Sequence, residues 1–416
     1  MKINKYLINS LFIAILLSSC GSYSNYKSDN CFYENYVEQN IFVRENNSFE
    51  FNLIDDVFKD GKILDDNDNL IDINYRYDDF QLYYGNTVDK ENDIKPCVLS
   101  EINNFKCRVK APNQTSFLYG RFLNHTKQYK SKLFYIGVVH VEKDYKKINS
   151  VEDLYKISTD YENYTCFILN NDIDFDGFEI AEPIEINRPI IFRNPYKYTI
   201  KNINFYSQVS KVIDKGHVKL IDGFSKCYYD GLIFENIVCN FDNKKINSDE
   251  IYNFSLFGNS SYTSFNNIKV SNLYLKSSYN PIKYGTILLD SYRCNYTNNY
   301  VDINVDVNTS IYNILSSAGG LACNGKGYYL YHDEPNMMDE VSFARFNMNQ
   351  DRIPIQNNVI KGLLTGNYYV GVIFGNLYSE DKNRKFIDNT IDIELHSAST
   401  KNVGLVVGVV LLWKKL

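Results

Sequence analysis

The chain carries one tryptophan, four methionines and five histidines among 416 residues. So little methionine beside 36 tyrosines and 26 phenylalanines speaks against a leucine-rich helical bundle. With Ile, Val and Asn abundant, the composition suits strands joined by Asn-rich turns. The lone tryptophan, Trp413, stands near the far end, so the Cys…Trp…Cys spacing of an immunoglobulin domain is missing. No Cys-x-x-Cys pair occurs, which gives no support to a zinc ribbon or a thioredoxin-like site. His125, His140, His217, His332 and His396 are scattered, and no two share metal-ligand spacing. H-E-x-x-H, G-x-x-x-x-G-K-[ST] and G-x-S-x-G are all absent, which removes the usual zinc-protease, phosphate-loop and nucleophile-elbow signatures. There is no basic stripe, and the net charge is −6, so no nucleic-acid partner is expected. Neither apolar run, Leu7–Leu17 or Val403–Trp413, approaches the roughly 20 residues needed to span a bilayer.

What is present begins at the amino terminus. Lys2 and Lys5 precede the apolar run, and Leu17-Ser18-Ser19-Cys20 ends it, the grammar of a secretory signal with a small-residue cleavage site. A cysteine directly after the small residues resembles the lipobox of bacterial lipoproteins. That resemblance implies a diacylglycerol thioether on Cys20, cleavage before it, and acylation of the new terminus. Residues 1–19 are then a lipoprotein signal peptide and 20–30 a lipidated polar tether. Loss of Lys2 and Lys5 takes the net charge from −6 to −8. The expected location is the exported side of a bacterial cell membrane or outer membrane, held by lipid.

The expected fold class is all-β. Residues 31–145 hold short strands near Phe49–Leu53, Leu82–Tyr84, Phe105–Val109 and Leu133–Val141 with turn clusters between them, which favours an immunoglobulin-like β-sandwich. Ser150-Val151-Glu152-Asp153 is a capping box that predicts a short helix over 151–158. Alternating segments then open at Asn266, Asn298, Asn357 and Asp388, steps of 32, 59 and 31 residues. Each is paired with a small-residue strand such as Gly319-Gly320-Leu321. A degenerate repeat of that length predicts a right-handed parallel β-helix over 146–416, with the helix as its cap, Asn amides laddering at the corners, and an insertion at 324–354. Val403–Trp413 reads as a last rung. No polar cap follows it, the pattern expected of a truncated repeat array.

Glu152-Asp153-Leu154, Phe167–Phe175 and Tyr198–Ile203, with the later Asn-Asn and Gly-Gly-Leu rungs, resemble the GLUG-type β-helical repeats of bacterial surface proteins over 149–410. Phe192-Arg193-Asn194-Pro195-Tyr196 stands where that family has a glycine-rich turn. The resemblance implies display and binding without a conserved active site or cofactor.

Candidate sites follow from residue type. In the insertion, Tyr328, Tyr329, Tyr331, His332 and Arg345 offer flat apolar area with polar tips, suited to a glycan or to a host or surface protein. Export permits disulfides, and Cys97 with Cys107, and Cys294 with Cys323, are the candidate pairs, against an alternative of buried free thiols. Asp65–Asn69 starts like a calcium loop but lacks its glycine and final glutamate; Asp172, Asp174 and Asp176 alternate as a weak carboxylate row; no metal site is expected. The leading expectation is a non-catalytic, adhesin-like display scaffold. The alternative is a β-helix polysaccharide lyase or glycoside hydrolase using acids on Asp302–Asp306 and Asp392–Glu394.

Overall fold

The computed structural model describes residues 27–29, 39–58, 61–64, 70–86, 94–131, 133–211, 216–243, 251–279, 281–307, 317–326, 355–366, 369–378, 386–397, 403–404 and 407–411. Leu17, Ser18, Ser19, Cys20, the Asp65–Asn69 cluster and the insertion residues Tyr328, Tyr329, Tyr331, His332 and Arg345 lie outside them. The chain is mostly strands with few helices.

Strands before residue 143 form a mixed sheet centred on Ser116–Asn124 and Phe134–Glu142, which pair antiparallel. Asp79–Gly85 joins one side antiparallel and Gln39–Arg44 the other in parallel. Both central strands are apolar on both faces because both faces are covered. Leu118, Phe122, Ile136, Val139 and Val141 share a buried cluster with Phe51, Cys107 and Val109 of a three-stranded antiparallel sheet. Phe117, Tyr119, Tyr135 and Val138 point the other way and pack with Tyr262.

From Tyr145 onward every strand pairing is parallel, in stacked sheets consistent with a β-helix. Four sheets of 8, 7, 6 and 5 strands recur in fixed order, and from Ser260 onward each circuit of the chain visits all four. The first sheet runs from Tyr145–Ile148 to Phe386–Ile387, and the second from Ile173–Asp174 to Thr390–Ser397. The third starts at His217–Lys219 and the fourth at Ser260–Ser261. Because register repeats, like residues fall on like. Phe167, Phe192, Tyr229, Phe265, Tyr296, Ile355 and Phe386 form one inward column of the first sheet. Tyr229, Phe265 and Tyr296 stack nearly flat, centroids 5.4 and 5.6 Å apart.

The corner between the first two sheets needs a left-handed residue on each circuit, and Gly231, Asn267, Asn298, Asn357 and Asp388 supply it, with φ from 51° to 73°. Asn adopts this region at low cost. Asn267, not Asn266, is therefore the partner of Asn298, and the first step is one residue shorter than the sequence reading made it. Beside this column the expected amide ladder is present. Asn358 Oδ1 accepts from Asn299 N and Nδ2 at 3.0 and 2.9 Å, and Asn358 Nδ2 donates to Asn389 Oδ1 at 2.8 Å. Between the third and fourth sheets the backbone passes too close for any side chain: a Cβ on Gly319 would lie 1.8 Å from the Ala322 carbonyl oxygen.

The helix expected over 151–158 spans Val151–Tyr155, capped by Ser150 Oγ, which accepts from Asp153 N at 3.3 Å. Val151 and Leu154 enter the core of the stack. The turns after the helix are held by Arg188, whose Nη2 donates to the carbonyls of Ile157, Tyr161 and Tyr164 at 2.8, 2.6 and 2.9 Å.

None of the seven described cysteines is in a disulfide. Leu99 pairs with Val109, and Lys110 N donates to Val98 O, a register that sets Ala111 rather than Cys107 opposite Cys97. Cys323 lies between the Leu288–Ala322 and Asp290–Asn324 pairs, so it stacks beside Leu289 and not Cys294. Neither expected pair is bonded here, because neither pair occupies equivalent positions.

Candidate binding face

The second sheet is built of long strands, five of them 8 or 9 residues, and its outer face is exposed. Its strands include Thr199–Asn204, Ile233–Asn240, Lys269–Ser277, Tyr300–Val307, Val359–Gly366 and Thr390–Ser397. Alternation decides what they show. Ile200, Phe234, Val270, Val301 and Ile360 fill one inward column, and Cys239, Leu275, Val305 and Leu364 another. Ile203, Ile237, Leu273 and Ile303 fill a third inward column between these two, and the remaining residues face out.

Three features organise this face. One is a chain of amides. Asn202 Nδ2 donates to Asp174 Oδ1 at 2.8 Å, Asn236 Nδ2 to Asn202 Oδ1 at 3.1 Å, and Asn272 Nδ2 to Asn236 Oδ1 at 3.2 Å. All three asparagines have positive φ, between 55° and 58°, and each occupies an extra position in its strand. The second is charge pairing between neighbouring circuits. Lys201 lies 3.4 Å from Asp174, Lys269 3.6 Å from Glu235, Lys276 3.4 Å from Asp242, and Lys361 4.0 Å from Asp392. The third is a column in which Val238 and Tyr274 stand exposed side by side, at 39% and 37%.

The candidate acids sit on this face. Asp302 and Asp392 share one column with Lys361 between them. Asn304, Leu363 and Glu394 share another, and Glu394 accepts from or donates to His396 Nε2 at 2.6 Å according to protonation. The aspartate row is committed elsewhere. Asp174 accepts from Asp176 N at 2.9 Å besides Asn202, and these bonds hold its carboxyl below the ordinary value. Asp172 accepts from Thr199 N at 2.8 Å. With Asn149, Ser150 and Glu152 these residues line an open cleft of about 320 Å³ at the start of the stack. Among the described residues, no three His, Cys, Asp or Glu side chains converge as metal ligands.

One serine–histidine contact could be mistaken for a dyad. His217 Nε2 lies 2.8 Å from Ser255 Oγ, but Ser255 is fully buried and its hydroxyl donates to the Gly258 carbonyl at 3.2 Å. A nucleophile must reach its substrate, and this hydroxyl faces inward. Among the described residues, no helix is long and apolar enough to cross a membrane. Comparison of the chain with known protein families, with curated proteins and with solved structures returned no match.

Sequence reasoning found the strands of this face but not its amide chain. The signal was present in Asn202, Asn236 and Asn272, spaced 34 and 36 residues apart. It was missed because the extra residue per strand interrupts simple alternation.

Proposed function

We propose that this protein is a membrane-anchored bacterial lipoprotein that serves as a non-catalytic display and binding scaffold. In this reading residues 1–19 are removed, Cys20 carries diacylglycerol, and 20–30 tether a β-sandwich followed by a right-handed β-helical solenoid. The ligand is an extended glycan or a surface protein laid across the strands of the second sheet. The observation that carries the binding role is the charge pairing of that face: Lys201–Asp174, Lys269–Glu235 and Lys361–Asp392 neutralise one another across circuits. Exposed pairs of this kind contribute little to stability, about 0–1 kcal/mol each. They leave the amides of Asn236 and Asn272 and the ring of Tyr274 among paired charges, suited to a polymer with many hydroxyls. The insertion at 324–354 offers a second contact.

Two experiments test the reading. Cys20→Ser should move the protein from the membrane to the soluble fraction of the producing cells; continued membrane attachment would overturn the anchor. On a glycan array, the triple change Asn236→Ala, Asn272→Ala and Tyr274→Ala should lose at least about tenfold in affinity, one pK-unit equivalent, with strand content unchanged. Unchanged binding would remove this face.

A further inference from the structure

Where the strands before residue 143 lie against the stack, the contact is built from cations and rings. Lys226, Tyr262 and Arg293 sit on successive circuits, all with left-handed φ of 59°, 53° and 46°. Lys226 Nζ lies 4.7 Å over Phe117 and donates to Asn86 O at 2.8 Å. The Arg293 guanidinium lies 5.0 Å over Tyr135 and 5.7 Å from Tyr262. Arg193 covers Phe42 at 4.8 Å and meets Glu142 at 2.9 Å. In the middle is His140, 1% exposed, stacked on Phe42 and edge-on to Tyr228. Its Nε2 bonds Asn40 Oδ1 at 2.9 Å, and Asn40 Nδ2 crosses the contact to Ser264 Oγ at 3.0 Å. Its Nδ1 has no partner among the described residues.

We propose that this seam is an acid-sensitive latch, in which protonation of His140 releases the amino-terminal sheet from the stack. An oxygen acceptor on Nε2 makes that nitrogen the proton carrier, so the added proton must go to Nδ1. There it finds no acceptor, and a buried unpaired charge is costly. The charges acting on the imidazole are both positive, Arg193 and Lys226. Burial first, then those two cations, lower its pKa to about 3. The other groups near it do not offset this. Glu142 is paired to Arg193. Tyr228, with Asp230 beside it, and the thiols of Cys166 and Cys227 have their pKa values raised by burial, so they stay neutral in acid. The folded seam binds the His140 proton weakly and the open seam binds it at the ordinary value of 6.5, so acid favours opening.

Hydrogen exchange read by mass spectrometry on the full chain tests this, with each variant compared with wild type at the same pH. Between about pH 7 and pH 4, Gln39–Arg44, Tyr228–Asp230 and Ser264–Asn266 should lose protection by about tenfold or more, one pK-unit equivalent. Lys269–Ser277, remote from the seam, should keep its protection. His140→Phe keeps the ring stacked on Phe42 and cannot titrate; it should abolish the loss. His140→Gln, which keeps a donor to Asn40, serves if the Phe variant fails to fold. Equal loss in the variants, or loss spread evenly over both sheets, would overturn the latch.

Discussion

Asn358 grips Asn299 across 59 residues of sequence, with its Oδ1 accepting both the backbone N and the side-chain Nδ2 of Asn299. Both residues are almost wholly buried, and Asn358 Nδ2 also donates to Tyr296 O at 2.9 Å. Asn358→Ala removes the side-chain partner of the buried Asn299 N and one bond each from Asn299 Nδ2, Tyr296 O and Asn389 Oδ1. It should cost about 3 kcal/mol, read as a lower denaturation midpoint. Asn202→Ala, which removes an exposed member of the outer chain, should cost less than about 1 kcal/mol.

The same contact bears on the insertion. Tyr292 pairs with Lys326, and Tyr296 with Ile355, so three residues join the two strands on one circuit where the next has 28. Removing 327–351 restores a three-residue connection. The shortened chain should keep the strand signal in circular dichroism and its unfolding midpoint, since the amide ladder that closes this corner stays. Collapse of the parallel sheets on deletion would show that the insertion is part of the core.

Phe265 sits between Tyr229 and Tyr296 in the interior column, with interplanar angles of 13° to each. Phe265→Ala opens a cavity in a column whose neighbours are tied to their own circuits and cannot close in. The expected loss is about 3–5 kcal/mol in chemical denaturation, against about 1 kcal/mol or less for Phe265→Leu if the site repacks.

Arg188 holds three carbonyls through Nη2 and also bonds Tyr164 O through Nε at 3.2 Å, a spread of donors that needs a planar fork. Arg188→Lys should therefore fail to rescue Arg188→Ala. Both variants should expose 157–164 to proteolysis, and both should lose about 2 kcal/mol. Equal resistance of Arg188→Lys and wild type would show that charge alone suffices.

His217, bonded to Ser255, is lowered to about pKa 3, by burial first and by Lys219 second. The unfolded chain binds this proton at 6.5 and the folded chain does not. Stability is thus complete above pH 6.5 and falls as pH drops toward 3. Because the residue keeps partial exposure, the loss at pH 5 should be about 1 kcal/mol. His217→Gln should flatten the pH dependence of the denaturation midpoint over that range.

The parallel sheets were legible where polar and apolar residues alternate strictly, as in Tyr300–Val307, and where Asn pairs mark the corner. The earlier circuits were harder to see because Gly231 fills the corner that Asn267 and Asn298 fill later. The seam could not be read at all. Lys226, Tyr262 and Arg293 have no chemical likeness, and they share only a backbone conformation and a place on the circuit. The strand expected over Leu133–Val141 carries an apolar run, Phe134 to Val139, of the kind that is buried on both faces. Such a run says that something covers the strand without saying what. Cys294 and Cys323 do not stack for a related reason: spacing near the repeat length suggests stacking, but register decides it, and Cys323 falls beside Leu289.

The interior column changes along its length. Rings occupy it at Phe192, Tyr229, Phe265 and Tyr296, and Ile355 interrupts them. The third sheet thins in the same direction, from Phe254 and Tyr284 to Ala318 and Val370. Each circuit adheres to its neighbours through these columns, so adhesion is weakest where Ala318 and Ile355 stand, since rings return at Phe374 and Phe386. Heat or tension should then part the stack first at those circuits, while the circuits beneath the amino-terminal sheet stay wound.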